Sequence, residues 1–185
     1  MRFALLVART RGSIRRLLRD KRGISAVEFA MLLPLMVTLY LGCVEASTGI
    51  AIDRKVTLVA RSLGDLVAQA STITNDEITN ILNAATAIIV PYQDSKLTIT
   101  VSSVTIDAAG VAKVAWSDTK NGTAYAVGTT VTLPAALNTP SSSLIWAETQ
   151  YAYTPTIGYV ITGTMNLKDQ IYMRPRLSDS VTRTP

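Results

Sequence analysis

From Phe29 to Val44 the chain runs sixteen residues without a charged side chain: Phe-Ala-Met-Leu-Leu-Pro-Leu-Met-Val-Thr-Leu-Tyr-Leu-Gly-Cys-Val. A helix needs about 20 predominantly apolar residues to cross a bilayer core, so this stretch falls just short. Taking in Ile24, Ser25, Ala26 and Val27 makes a span of 21 residues, 24–44, at the cost of enclosing Glu28. The charge on either side gives the span a direction. Residues 1–22 hold eight basic side chains against Asp20 alone, a net +7; the other 163 residues hold ten basic and twelve acidic, a net −2. Basic residues before the span and none just after it predict a cytoplasmic N-terminus, with the remainder outside the cytoplasmic membrane. A nucleic-acid interface would spread its basic side chains over a folded face. Here they abut an apolar run, which reads as a topogenic signal facing membrane lipid, with no nucleic-acid partner.

The composition removes most catalytic chemistry. The chain has 185 residues, enough for one modest domain with an appendage. It contains no histidine, the commonest general base and metal ligand, and a single cysteine, Cys43. One cysteine excludes an intramolecular disulfide and any zinc site built on paired cysteines. Ser141, Ser142 and Ser143 offer hydroxyls without a histidine, and no glycine-rich phosphate loop or helical carboxylate pair occurs. The expectation is a protein that is not an enzyme and takes no cofactor and no metal.

Three routes could process or retain the apolar span. A secretory signal has an apolar stretch of about 7–15 residues followed by small residues at the cut; Val44-Glu45-Ala46 fits weakly, with Glu45 out of place. Leu41-Gly42-Cys43 is similar to a lipoprotein cleavage box, though Tyr40 and Leu41 suit it badly, and Cys43 reads more simply as a small buried apolar residue. An uncleaved anchor is the plain alternative. The third route rests on Arg22-Gly23-Ile24-Ser25-Ala26-Val27-Glu28-Phe29, which sets a glycine at the junction of basic and apolar residues and a glutamate five positions later.

That string, with Ala30 and Leu33-Pro34 following it, resembles the prepilin-peptidase site of type IV pilins. More narrowly, it is similar to the TadE/TadF-like minor pilins, or pseudopilins, of the Tad (Flp, type IVc) tight-adherence pilus system. The resemblance is dense over about residues 19–50. It implies cleavage between Gly23 and Ile24 by a prepilin peptidase and a single-pass place in a bacterial inner membrane. It further implies partners among other pilins and minor pilins and the inner-membrane assembly platform. Gly23 and Ile24 are then the cleavage residues, and Glu28 and Phe29 the residues of processing and assembly. Further on, Tyr151-Ala152-Tyr153-Thr154-Pro155 and Met173-Arg174-Pro175-Arg176 are similar to late strings of the family; no site is carried over from them.

The physical chemistry of these residues agrees with that reading. A carboxylate at mid-bilayer costs about 2.5–3.5 kcal/mol on insertion scales, so Glu28 needs a reason to be there. An interfacial position reaching water is the bland one. In the pilin reading Glu28 becomes the fifth residue of a new helix, where the dipole favours an anion by about 0.3–1 kcal/mol, and the freed ammonium of Ile24 is its partner. Gly23 lacks the Cβ that would crowd an extended backbone in a peptidase cleft. Pro34 removes one helical hydrogen bond, which predicts a kink or a tolerated irregularity.

Beyond the membrane, Ile52, Val56, Val59, Leu63, Leu66 or Val67, and Ala70 recur at three- and four-residue steps, extending one helix over 24–70 unless Gly49 or Gly64 breaks it. Thr74 and Glu77 have capping-box spacing for a second helix ending near Ile89, before Pro91. Leu97, Ile99 and Val101 alternate, then Val104 and Ile106 resume on the other parity, predicting a bulge near Ser102-Ser103. Asp107–Gly110 is a turn into a strand through Trp116; 117–143 read as a long loop with a short strand near Thr129–Leu133; 144–153 and 163–173 supply the last strands. Asn121-Gly122-Thr123 has the form of a glycosylation acceptor but makes a turn more simply. Tyr151, Tyr153, Trp116 and Trp146 are expected in the core, and Arg174 and Arg176 in solvent. The fold class is α+β: a leader over 1–23, a stem over 24–70, and an extracytoplasmic head over 71–185 with a small antiparallel sheet. The competing class is a signal-anchored or secreted β-rich surface or binding protein that belongs to no pilus.

Overall fold

The computed structural model describes residues 22–185 apart from 156 and 159–161. The leader expected over 1–23 therefore lies almost wholly outside the described residues. Helix α1 is a single element, Arg22–Ala68, and the chain divides into two units, Met1–Val44 and Glu45–Pro185.

In the first unit the helix is mostly apolar, with Arg22 and Glu28 its only charges, and most of its described side chains are exposed. Ile24, Val27, Phe29, Met31, Leu35, Leu39 and Tyr40 are all exposed. A helix with no polar face and no protein partner suits lipid rather than water. Pro34 lies inside it without ending it, and Thr38 Oγ1 donates to the Pro34 carbonyl at 2.8 Å. Cys43, expected to be buried, is exposed.

The second unit is a head in which residues 45–68 of α1 supply the first layer. Ile52, Val56, Val59, Leu63 and Val67 are buried, while Leu66 is exposed, which resolves the choice between Leu66 and Val67. Each such burial contributes about 1.5–3 kcal/mol, so this stripe is what fastens the helix to the sheet. Neither Gly49 nor Gly64 breaks the helix. A Cβ on Gly64 would meet Ile171 Cγ2 at 3.3 Å and Met173 Sδ at 3.4 Å, and one on Gly49 would meet the Tyr153 ring at 3.4 Å. At both glycines side chains of the sheet come within contact of the position a Cβ would take.

Strand β1 (Thr72–Ile73) pairs in parallel with the C-terminal β6 (Thr182–Arg183). Helix α2, Asn75–Ala87, begins on the predicted capping box: Glu77 N–H donates to Thr74 Oγ1, and Thr74 N–H to the Glu77 carboxylate. It stops slightly before the expected Ile89. Its C-terminal carbonyls at Ile88 and Val90 accept from Lys55 Nζ at 2.9 and 2.8 Å, a cation at the negative end of the helix.

The main sheet is antiparallel in the order β3-β2-β4-β5, with β2 Leu97–Ile106, β3 Ala112–Lys120, β4 Ser142–Tyr153 and β5 Met165–Met173. β2 keeps unbroken register with β4, from Leu97 opposite Tyr151 to Ile106 opposite Ser142. The irregularity lies against β3: Ser103 faces Trp116 and Val104 faces Val114, leaving Ala115 as the extra residue. The bulge expected in β2 is therefore in β3, and the change of parity in β2 has another cause. Its first half buries Ile99 and Val101 under the helices, and its second half buries Val104 and Ile106 on the opposite face, with Leu144 and Ala112. The extra residue lets Val114 and Trp116, two apart, lie on opposite faces, because one added residue inverts the pleat.

β3 also runs on to Lys120, so the loop begins later than expected. The strand foreseen near Thr129–Leu133 is reduced to a bridge between Lys113 and Thr130. Asp107 makes the predicted turn, its carboxylate accepting from Ala109 and Val111 N–H. Trp116, Tyr151 and Tyr153 are buried as expected. Trp146 is not in the core: it is half-buried on the face turned away from the helices.

Candidate functional site

Gly23, Ile24, Glu28 and Phe29 share the first two turns of α1. All four are exposed, Ile24 at 57% and Phe29 at 58%. Gly23 stands in the helix rather than in extended chain, and a Cβ there would meet nothing within 4 Å. A peptidase acting at the Gly23–Ile24 bond would have to unwind this turn, and glycine, about 1 kcal/mol worse than alanine in a helix, eases that step. Among the described residues Ile24 and Glu28 are joined by the helix backbone and by no ion pair. The helix provides only their spacing, four residues and hence one face.

Glu45, at the start of the head, had only a negative role in the sequence, as an awkward residue for a signal cut. It is 3% exposed. Its carboxylate accepts from Gly158 N–H at 2.6 Å and its backbone carbonyl from the Tyr153 hydroxyl at 3.1 Å. The β4–β5 connection is thereby tied to the helix. Burial pushes the Tyr153 hydroxyl pKa up, with the Glu45 charge adding to it.

The head's outer face, opposite the helices, carries the other concentration of polar chemistry. Tyr125, from the loop after β3, stacks on Trp146 with ring centroids 5.2 Å apart, and Trp146 stacks on Tyr172 at 5.9 Å. Tyr172 is the cross-strand partner of Trp146; below them lie the pairs Glu148–Gln170 and Gln150–Lys168, flanked by Thr100 and Thr98 of β2. Tyr125 and these strand residues line an open cavity of about 540 Å³. The Tyr125 hydroxyl pKa is pushed up to about 12, by burial first and then by its interaction with the Glu148 carboxylate. Burial also raises the Glu148 pKa, opposed by the Tyr125 hydroxyl and Lys168. Sequence reasoning missed this face because Tyr125 reaches Trp146 through an irregular loop with no periodic signal.

Arg174 and Arg176 are not simply solvated. Arg176 N–H donates to the Ala68 carbonyl at 2.9 Å, satisfying an orphan acceptor at the end of α1, and its guanidinium pairs with Asp65 at 2.5 Å. Arg174 donates to Thr139 Oγ1 at 3.1 Å. Among the described residues no three His, Cys, Asp or Glu side chains gather into a metal-binding group.

Residues 23–62 match the family model for the TadE-like protein. The chain carries a TadE-like segment. It covers the exposed apolar helix from the glycine of the Arg-Gly junction to the middle of the buried stripe, and it supports a pilin-type family associated with Tad pili, as the residues around Glu28 imply. One long apolar helix near the N-terminus fits a single-pass membrane anchor. No curated protein and no solved structure matches the chain, and the family match lies within the helix.

Proposed function

We propose that this TadE-like protein is a minor pilin or pseudopilin in assembly of a Tad-type pilus, without enzymatic activity of its own. A prepilin peptidase removes residues 1–23, and Ile24 becomes the N-terminus of a helix held in the inner membrane, with the head outside the cytoplasm. The reading is carried by one observation: the TadE-like match begins at Gly23, five residues before the charge of Glu28 in a mostly apolar, exposed stretch of helix. In lipid, helices associate through close packing and polar contacts. The Ile24 ammonium and the Glu28 carboxylate, on the same or neighbouring subunits, supply such a contact and set the register of an entering subunit. Other pilins and the assembly platform are the partners this requires.

Co-expression with a prepilin peptidase tests the proposal. The wild-type chain should lose its basic leader, seen as a mobility shift on immunoblot, and Gly23→Ala should be processed more slowly. Equal processing of both chains would remove Gly23 from the site, and no processing of either would remove the pilin reading.

A further inference from the structure

The outer face of the head presents a cavity whose chemistry is unrelated to the stem's. Clefts for small ligands span about 300–1,000 Å³ and combine apolar or aromatic walls with a few convergent polar groups; the cavity here, about 540 Å³, lies within that range. One wall is Tyr125, held in place by stacking on Trp146 and by its N–H donating to Ser117 Oγ at 3.2 Å. The floor is a grid of hydroxyl, carboxylate, amide and ammonium groups: Thr100, Glu148 and Gln170 in one cross-strand row, and Thr98, Gln150 and Lys168 in the next. Gln170 Oε1 accepts from Trp146 Nε1 at 3.2 Å, which orients the Gln170 amide.

We propose that this groove binds a neutral saccharide, whose C–H face lies on the Tyr125 ring while its hydroxyls bond Glu148, Gln150, Lys168 and Gln170. A saccharide is the ligand class that needs both an aromatic surface and several planar donor–acceptor groups at close spacing. A neutral one is indicated because the half-buried Glu148 carboxylate would repel an anion, while Lys168 disfavours a cation. An apolar peptide would bury the Glu148 carboxylate and the Lys168 ammonium against groups that cannot hydrogen-bond them, whereas sugar hydroxyls can. The strand backbone is fixed in the sheet, so the floor is assembled before any ligand arrives. This inference does not depend on the pilin reading.

Trp146 provides the readout. Trp116, the only other tryptophan, is buried on the helix side, so Trp116→Phe isolates the Trp146 emission. The full chain in detergent micelles should be titrated with neutral β-1,4-linked tetrasaccharides of glucose, mannose and N-acetylglucosamine, with tetragalacturonate as the anionic comparison. At least one neutral sugar should change the emission saturably, with a dissociation constant on the order of 1 mM or below, as for a small polar ligand in an open groove. Tetragalacturonate should not. Tyr125→Ala and Lys168→Ala, the latter at an exposed side chain, should each weaken binding about fivefold or more, with the thermal midpoint of Lys168→Ala close to that of the wild type. The proposal is overturned if no neutral sugar alters the emission, if binding survives both substitutions, or if the emission responds only to protein concentration, which would make the face a contact between heads.

Discussion

Arg183 grips Asp118 through two hydrogen bonds, Nε to Oδ2 at 2.9 Å and a terminal nitrogen to Oδ1 at 3.2 Å. The same guanidinium lies 6.0 Å from the centroid of the Trp116 ring and donates to the Ile73 carbonyl and Asn75 Oδ1. One side chain thus joins the end of the chain to β1, to the start of α2 and to β3. Because the pair is bidentate and mostly shielded from water, with side-chain exposures of 18% and 26%, it is worth more than an ordinary surface ion pair. Arg183→Ala should destabilise the head by about 2 kcal/mol, and Arg183→Lys should recover less than half of that, since an ammonium cannot make the planar fork. Urea denaturation of the two variants measures both effects.

At Gly64 of helix α1 a Cβ would lie 3.3 Å from Ile171 Cγ2 and 3.4 Å from Met173 Sδ of β5. Gly64→Val should cost about 1–3 kcal/mol, because the added methyls have to displace Ile171 and Met173. Helix propensity alone predicts the opposite sign at an unpacked position, since valine is the better helix former. A rise in thermal midpoint for Gly64→Val would show that the helix does not sit on the sheet in this register.

Ser103 Oγ is buried with no hydrogen-bond partner among the described residues. Ser103→Ala removes a group that costs about 1–3 kcal/mol to desolvate unpaired. The variant should therefore be at least as stable as the wild type in chemical denaturation, although most core substitutions destabilise.

The strand pattern shows where the sequence was readable and where it was not. The capping box at Thr74 and Glu77, the Asp107 turn and the stripe from Ile52 to Val67 are local signals, each set within a turn or a few turns of helix, and each recurs in the structure. The parity change in β2 was also visible, but its cause was not. A bulge in β2 and a transfer of burial between the two faces give the same spacing of apolar residues, and only the pairing with β4 separates them. Tyr125 and the face it covers were illegible for a related reason: a long loop places its residues by tertiary contact. Glu28 and Gly23 were legible because a charge in an apolar span and a glycine at its edge stand out against their neighbours.

The Glu148 carboxyl has its pKa raised by burial above the ordinary carboxylate value of 4.5. The folded protein then holds this proton more tightly than the unfolded chain. The corresponding stability is present in full below the unfolded pKa, falls as pH rises from there through the folded pKa, and stays low above it. Glu148→Gln should remove this dependence, so that its stability relative to the wild type improves between about pH 4 and pH 7. Denaturant midpoints of the two proteins at both pH values test this.

Glu28 is exposed, outside the head, so its loss should leave the head's stability unchanged. Glu28→Ala should insert in membranes, yet fail to support pilus biogenesis in a complementation assay. Normal piliation in that variant would count against a role for the carboxylate in assembly.

The most direct test of the pilin account is the mature N-terminus of the native protein, read by mass spectrometry from the membrane fraction. The account predicts a chain beginning at Ile24, free of its eight basic leader residues. A chain beginning at Ser47, a lipidated Cys43 or an intact leader would contradict it.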